Sequence, residues 1–224
     1  MKQDIIGSFN SKKHKEEVLK LFFKIVLMGM LLFPILACSQ PVIKNDATSL
    51  TIGILNEFPD SAKYIKQRTF VFRHQVEAYE KDRFKKFITH SAEDYLISKG
   101  YKVIEVKDKT ALTDGRADMI VEILPMDMFK QDGTMGYGFY DRKLLVIVLK
   151  QHAKSYICLD MKLHRKDIGK VVSTKRQEGF SNLMIKKLPD SPDQLSANEI
   201  KDMSLNLENN IKKTITRSLS VLGL

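Results

Sequence analysis

The chain has 224 residues, of which 43% are hydrophobic and 29% are charged, and its formal net charge is +10. This composition is typical of a globular protein and excludes collagen-like and low-complexity chains. The positive charge favours a solvated basic surface, and an anionic lipid, an acidic polymer or a nucleic acid as partner is the alternative.

The amino-terminal segment combines a basic region with a short apolar run. Residues 12–24 are rich in lysine, and residues 25–36 read IVLMGMLLFPIL without a charge. As a helix those residues would span about 18 Å, less than the roughly 30 Å hydrocarbon core of a bilayer. The pattern therefore predicts a cleaved signal peptide. An uncleaved anchor and a buried core helix are the alternatives.

The apolar run ends in Ile35-Leu36-Ala37-Cys38. This tetrapeptide resembles the lipobox of bacterial lipoproteins, although Leu36 stands where alanine, serine or threonine is commoner. The resemblance implies that residues 1–37 are a lipoprotein signal peptide and that fatty acyl chains on Cys38 bind the lipid bilayer. Ser39 replaces the aspartate that usually retains such proteins at the inner membrane. We therefore expect an outer-membrane protein that faces the periplasm and meets no nucleic acid.

Residues 38–49 are expected to form a lipidated tether, and residues 50–224 a single domain. The first half of that domain predicts a strand over 49–55, an extended segment over 69–76 and a helix over 82–99. The helix has one apolar stripe and is followed by Gly100, which suits a left-handed helix end. Another strand should start directly after it. The stripe comprises Phe84, Phe87, Ile88, Ser91, Tyr95 and Leu96.

The second half predicts strands over 117–124, 144–149, 156–163 and 171–178. The apolar segment 144–149 is typical of a central strand, and the alternation over 156–163 predicts one wet face carrying Tyr156, Cys158, Asp160 and Lys162. Ser196 and Glu199 form a capping box before a carboxy-terminal helix. Strands outnumber helices and cluster together, which predicts an α+β fold: a single layered domain with a mostly antiparallel or mixed sheet and two principal helices.

Histidines, carboxylates and a cysteine are the candidates for chemistry. Paired metal-ligand spacings are absent among His14, His74, His90, His152 and His164. His90, with Glu93 and Asp94 nearby, is the best ligand candidate, although a half-exposed helix histidine explains it better. Asp118 and Glu122 are too far apart on a strand for a glycosidase pair. Cys158 is expected to be inert. We therefore expect no catalytic site, no metal and no cofactor.

A glycine-rich segment, residues 133–138, leads into an aromatic stretch. Its spacing does not fit a phosphate-binding loop, which should also open a helix. The segment is expected to be a flexible hairpin loop and the first place to look for partner binding. The candidate binding residues are Tyr137, Phe139, Tyr140, Arg142 and Lys143.

The order of elements, with Ser98, Lys99, Gly100 and Tyr101 at the helix exit, resembles small envelope lipoproteins of the curli-assembly and penicillin-binding-protein-activator types. This resemblance implies a non-enzymatic binding or assembly module with a protein partner in the envelope. An envelope hydrolase with an unrecognised active site remains one alternative. A binder of anionic lipid or cell-wall polymer remains another.

Overall fold

The computed structural model describes residues 50–68, 73–128, 134–143, 152–166, 171–174 and 176–224. These residues belong to one compact unit, Lys44–Leu224. The predicted signal peptide, Cys38, the tether and the predicted strand over 144–149 lie outside the described residues.

The described residues form a mixed sheet of nine strands with three helices, so the predicted α+β single domain is confirmed. The strands are β1 Thr51–Asn56, β2 Ser61–Arg68, β3 Arg73–Lys81, β4 Lys102–Glu105, β5 Met119–Pro125, β6 Tyr137–Lys143, β7 Lys154–Arg165, β8 Val171–Ser173 and β9 Gln177–Asn182. The helices are α1 Arg83–Ser98, α2 Thr110–Thr113 and α3 Ala197–Val221, and Pro192–Gln194 forms a 3₁₀ turn.

The long strand β7 organises the sheet. The N–H of Cys158 donates to Gly136 O at 2.8 Å, and its carbonyl accepts from Met126 N at 3.0 Å, so the end of β5 and the start of β6 meet the same edge of β7. Two half-sheets, β6–β2–β3 and β5–β1–β4, therefore extend from that edge. Strands β8 and β9 pair with the opposite edge.

Helix α1 confirms the predicted apolar stripe. Phe84, Ile88 and Leu96 are fully buried, and Phe87 and Tyr95 are partly buried against the same core. The helix ends as predicted, because Gly100 takes a φ of 89° and its N–H donates to Ile97 O at 2.9 Å.

Helix α3 confirms the predicted capping box. The Glu199 N–H donates to Ser196 Oγ at 3.3 Å, and the Ser196 N–H donates to Glu199 Oε2 at 2.9 Å. These bonds satisfy donors that the first helical turn leaves without a partner. The helix packs on β7, β9 and α1 through Met203, Leu207, Ile211, Ile215 and Leu219. No helix in the described ranges is both long and apolar enough to cross a bilayer.

The two faces of the sheet differ. The face under α1 and α3, which we call the helix face, carries the main core, whereas the second face carries two smaller apolar clusters. The predicted wet face of β7 lies on this second face, and the prediction is wrong for two of its residues. Tyr156 and Cys158 are fully buried, because Ile65 of β2 and Met128, after β5, cluster with them.

One further local prediction needs correction, and two elements were not predicted at all. Residues 171–178 belong to two short strands, because their pairing with β7 shifts by one residue: Ser173 of β8 pairs with Lys162, whereas Gln177 of β9 pairs with Leu159. Neither β2 nor α2 was predicted. The sequence SAKYIKQR of β2 has charged residues among its apolar ones, which hides the burial of Tyr64 and Ile65.

Candidate functional site

The predicted aromatic loop is part of the core. Tyr137 and Phe139 lie on β6 with fully buried side chains, and the Tyr137 hydroxyl donates to Pro59 O at 3.0 Å. Gly138 between them has a φ of 153°, and a Cβ there would lie 2.0 Å from Lys63 O. The prediction of a flexible binding loop is therefore wrong for Tyr137 and Phe139, because β6 is packed between β2 and β7.

Tyr140 remains half-buried on the second face. Its ring centroid lies 6.0 Å from that of Tyr156 and 6.0 Å from that of Phe180, a residue of β9 that is 41% exposed. Arg142 and Lys143 close β6, in register with the end of β2. Of the five predicted binding residues, Tyr137 and Phe139 thus lie in the core, and Tyr140 is half-buried on the second face. Arg142 and Lys143 lie at the end of β6.

The histidines lie on separate elements. His90 is exposed on α1, with ring nitrogens 3.5 Å from Glu93 and 3.7 Å from Asp94. His74 lies on β3, His152 precedes β7 and His164 lies near the end of β7. Within the part of the chain that the structure describes, no three histidine, cysteine or acidic side chains form a group able to hold a metal.

A charged cluster on the second face escaped the sequence analysis. Glu122 of β5 is 3% exposed, and its two oxygens lie 2.6 Å from Lys109 Nζ and 2.7 Å from His164 Nε2. Asp118 is separate, because it accepts a hydrogen bond from Thr51 N at 2.8 Å. Only the antiparallel register of β5 with β7 brings His164 to Glu122, and no sequence spacing contains that information.

The electrostatics of this cluster favour the ionised carboxylate. Burial by itself raises the pKa of Glu122, but the hydrogen bonds and charges of Lys109 and His164 outweigh it and lower the pKa below its usual value. Since both oxygens of Glu122 are engaged, the cluster acts as a buried ionic link between β5, β7 and the segment before α2.

Cys158 is unsuited to nucleophilic chemistry. Its side chain is fully buried, and that burial raises the pKa of the thiol to about 12. A thiol of this kind holds almost no thiolate at neutral pH, and the thiolate is the reactive form. The structure therefore agrees with the predicted inert cysteine, though not with its predicted exposure.

A groove of about 410 Å³ lies beside β3. One wall is four consecutive residues of β3, and the other comes from the loop before α3 and from its first turn. Side chains of consecutive strand residues alternate between faces, so a cavity that contacts four in a row runs along the edge of the strand. The groove, here called the edge groove, is lined by Glu77, Ala78, Tyr79, Glu80, Ser191, Pro192, Asp193, Leu195 and Ile200.

Strand β3 is an edge strand that pairs, among the described residues, with β2 alone. It ends in a bulge at Glu80, where the register shifts between Ser61 and Ala62 of β2. Glu80 has a φ of 44° and Asp82 a φ of 63°, conformations that cost of order 1–3 kcal/mol each in residues other than glycine. Such strain is concentrated at functional sites, which makes this corner the leading candidate.

An ionic chain holds the strained corner in place. Glu80 Oε2 accepts from Arg83 Nη1 at 3.1 Å, and Arg83 Nη2 donates to Glu208 of α3 at 2.8 Å. Next to it, the ring of Tyr79 is buried, and burial raises the pKa of its hydroxyl to about 12. Glu80 and Ser204 lie near that hydroxyl, without a hydrogen bond of good geometry to it.

The opposite wall of the groove is fixed to the sheet. The Tyr64 hydroxyl of β2 donates to Pro189 O at 2.8 Å, and the buried Lys66 forms an ion pair with Asp190. The Asp190 N–H donates to Gln194 Oε1 at 3.1 Å, which closes the turn that carries Asp193. The groove is thus preformed between two anchored walls.

Comparisons with known proteins show similarity in structure and none in sequence. No protein-family model matches the chain, and no curated protein matches its sequence significantly. A crystal structure of a Xanthomonas campestris protein of family DUF330 is similar at 9% identity and a TM-score of 0.47, covering 78% of this chain and 84% of that one.

Two bacterial lipoproteins are also similar in structure. Lipoprotein GNA1162 from Neisseria meningitidis has 10% identity and a TM-score of 0.31, covering 73% of this chain and 99% of its own. A minor lipoprotein from Acinetobacter baumannii has 10% identity and a TM-score of 0.31, covering 77% and 91%. With all three TM-scores below 0.5, function must be argued from this chain's own residues.

Proposed function

We propose that this protein is a lipid-anchored lipoprotein of the bacterial envelope, facing the periplasm from the outer membrane, which binds a protein partner without catalysing a reaction. The carrying observation is Cys38, placed directly after Ala37 at the end of a 12-residue apolar run, residues 25–36. Two or three acyl chains on one cysteine would hold the protein firmly on a membrane.

The tether limits where the domain can act. Residues 38–49 could extend at most about 40 Å when fully stretched. A domain that starts at residue 50 would therefore stay close to the lipid surface, and it would meet other envelope proteins there. The edge groove is the binding surface that we propose, because it joins a rigid second wall to the edge of β3, which pairs with β2 alone among the described residues.

Binding suits the groove better than acid–base catalysis. Glu80 already accepts hydrogen bonds from Arg83 at 3.1 Å and from Ser204 at 3.5 Å. Both carboxylate oxygens of Glu80 are therefore engaged in holding the corner together. The edge of β3 next to it pairs with β2 alone among the described residues, and a strand edge of this kind is a common means of recognising another chain.

The anchor is tested by expressing the full chain in a Gram-negative host as wild type, Cys38→Ala and, as a matched control, Cys158→Ala. We expect the wild type and the control to fractionate with outer membranes and to yield an acylated peptide that begins at Cys38, by mass spectrometry. Cys38→Ala should lose the acyl mass and the tight membrane association. Equal membrane retention of all three proteins would contradict the lipid anchor.

Partner binding is tested by placing a photo-crosslinking amino acid at Ala78, in the groove, or at Glu105, on the exposed strand β4 at the other end of the sheet. We expect a discrete crosslinked partner from Ala78 alone, and its loss when Asp193→Lys is added. Crosslinks of equal yield from both positions would contradict the groove as the binding surface.

A further inference from the structure

We infer that the partner binds as an extended segment, which adds to β3 as a further strand and places a lysine or arginine in the edge groove. This inference rests on the proposed function and specifies the chemistry of the partner. It combines three observations: an edge of β3 that no other described strand pairs with, a preformed groove along that edge, and the charge of the groove.

The geometry of the edge favours a strand as the occupant. In an edge strand, alternate N–H and C=O groups point away from the paired neighbour and offer hydrogen bonds to an added strand. Glu77 and Tyr79 face the helices, in register with core residues of β2, while Ala78 faces the other way and is exposed. The groove therefore contacts the backbone edge together with side chains of both faces.

The bulge at Glu80 limits the length of the added strand. An inserted residue interrupts the ladder and twists the edge away, so regular pairing should stop at Tyr79. The volume of about 410 Å³ lies at the lower end of ligand pockets. It suits a few side chains of a short extended segment.

The charge of the groove selects a cationic segment. Among the described residues, the lining contains three carboxylates, Glu77, Glu80 and Asp193, and no lysine, arginine or histidine, whereas the whole chain carries +10. Glu80 already accepts a hydrogen bond from Arg83, so Asp193 on the opposite wall is the carboxylate on which recognition of a cation depends most. Leu195 and Ile200 supply apolar surface for the methylene stem of a lysine or arginine, whose charged end would then reach the carboxylates.

The test uses synthetic heptapeptides with blocked ends, in which valine and lysine alternate, and the acylated full chain in detergent micelles. Matched peptides carry glutamate in place of lysine. We expect the lysine peptide to bind at least about tenfold more tightly than the glutamate peptide, measured by fluorescence anisotropy. Asp193→Lys should weaken binding by about tenfold, and Glu105→Lys on β4 should not. Equal affinity of both peptides would overturn the charge assignment.

Strand addition is tested by N-methylating the lysine peptide on alternate amides. Methyl groups along one edge should abolish binding, and methyl groups along the other edge should leave it intact, because only one edge pairs with β3. Hydrogen exchange should slow at amides of β3 when the unmethylated peptide binds. Equal binding of both methylated peptides would overturn strand addition.

The outcomes also separate this inference from the function that it deepens. Loss of peptide binding with an intact Ala78 crosslink would overturn the strand model and leave the partner function standing. Concentration-dependent dimerisation that Asp193→Lys abolishes would show a second copy as the occupant, and it would overturn a foreign basic segment.

Discussion

The helix face and the second face of the sheet are stabilised in different ways. On the helix face, α3 packs closely on β9: Asn210 Nδ2 donates to Gly179 O at 3.1 Å and lies 3.2 Å from Ser155 Oγ. On the second face, Lys109 and His164 surround the buried carboxylate of Glu122. The helix face depends on close fit, whereas the second face adds a buried charged cluster to its two apolar clusters, so their responses to mutation and to pH should differ.

The largest effect is expected from Gly179→Ala on the helix face. A Cβ at Gly179 would lie 2.2 Å from Thr214 Oγ1 and 2.5 Å from Asn210 Oδ1, so α3 must move away from β9. We expect a loss of about 3 kcal/mol in the free energy of unfolding, measured in urea. Gly115→Ala is the control, because a Cβ there meets no atom within 4 Å and its φ of 77° should cost only about 1 kcal/mol. Equal losses would show that α3 does not pack tightly on β9.

A smaller effect is expected from Asn210→Ala, which removes a side chain without adding bulk. The buried carbonyl of Gly179 loses its hydrogen bond from Asn210, and we expect a cost of about 2 kcal/mol. Asn209→Ala, on the exposed side of the same helix, should change the free energy by less than about 0.5 kcal/mol. If the two substitutions cost the same, the amide network does not stabilise the helix face.

On the second face, Glu122→Gln should cost about 1 kcal/mol at neutral pH. Because the pKa of Glu122 is lowered on folding from an ordinary value of 4.5, ionisation stabilises the folded state above that pH. This contribution is lost as the pH falls from 4.5 through the lowered pKa, so the wild type and the variant should converge in acid. Urea unfolding at several pH values measures the convergence.

The same series should include Gly179→Ala, which changes no titrating group. Its deficit should stay nearly constant over the pH range in which the Glu122→Gln deficit disappears. A Glu122→Gln deficit that is the same at every pH would remove the electrostatic distinction between the two faces.

The smallest effect is expected from His90→Ala. The imidazole is exposed, with ring nitrogens 3.5 Å and 3.7 Å from the carboxylates of Glu93 and Asp94, and exposed pairs of this kind contribute little. We expect a change below about 0.5 kcal/mol, and no shift of the melting temperature with added zinc. A zinc-dependent rise that His90→Ala abolishes would reinstate His90 as a metal ligand.

The helix face could be largely predicted from the sequence, and the second face could not. The apolar stripes, Gly100 and the Ser196 capping box are local patterns, so they located α1 and α3. The cluster around Glu122 depends on the register of β5 with β7, which the spacing of residues does not record.

The edge groove escaped prediction for the same physical reason. It joins residues 77–80 to residues 191–200, which are more than a hundred positions apart in the chain. The aromatic residues of β6 were wrongly predicted to lie in a loop, because glycines stand next to them in the sequence. Gly138 instead allows the backbone of β6 to approach Lys63 of β2 closely. The predicted anchor on Cys38 lies outside the described residues and stays a prediction.

The burial of Cys158 gives the protein its own reporter of sheet opening. The chain has two cysteines, and acylation would block Cys38, so Cys158 would be the single thiol left for alkylation. With a pKa of about 12 and backbone hydrogen bonds to both Gly136 and Met126, it can react only after β7 separates from its neighbours. Alkylation rates in intact cells would therefore measure how often the centre of the sheet opens at the membrane, with no engineered label.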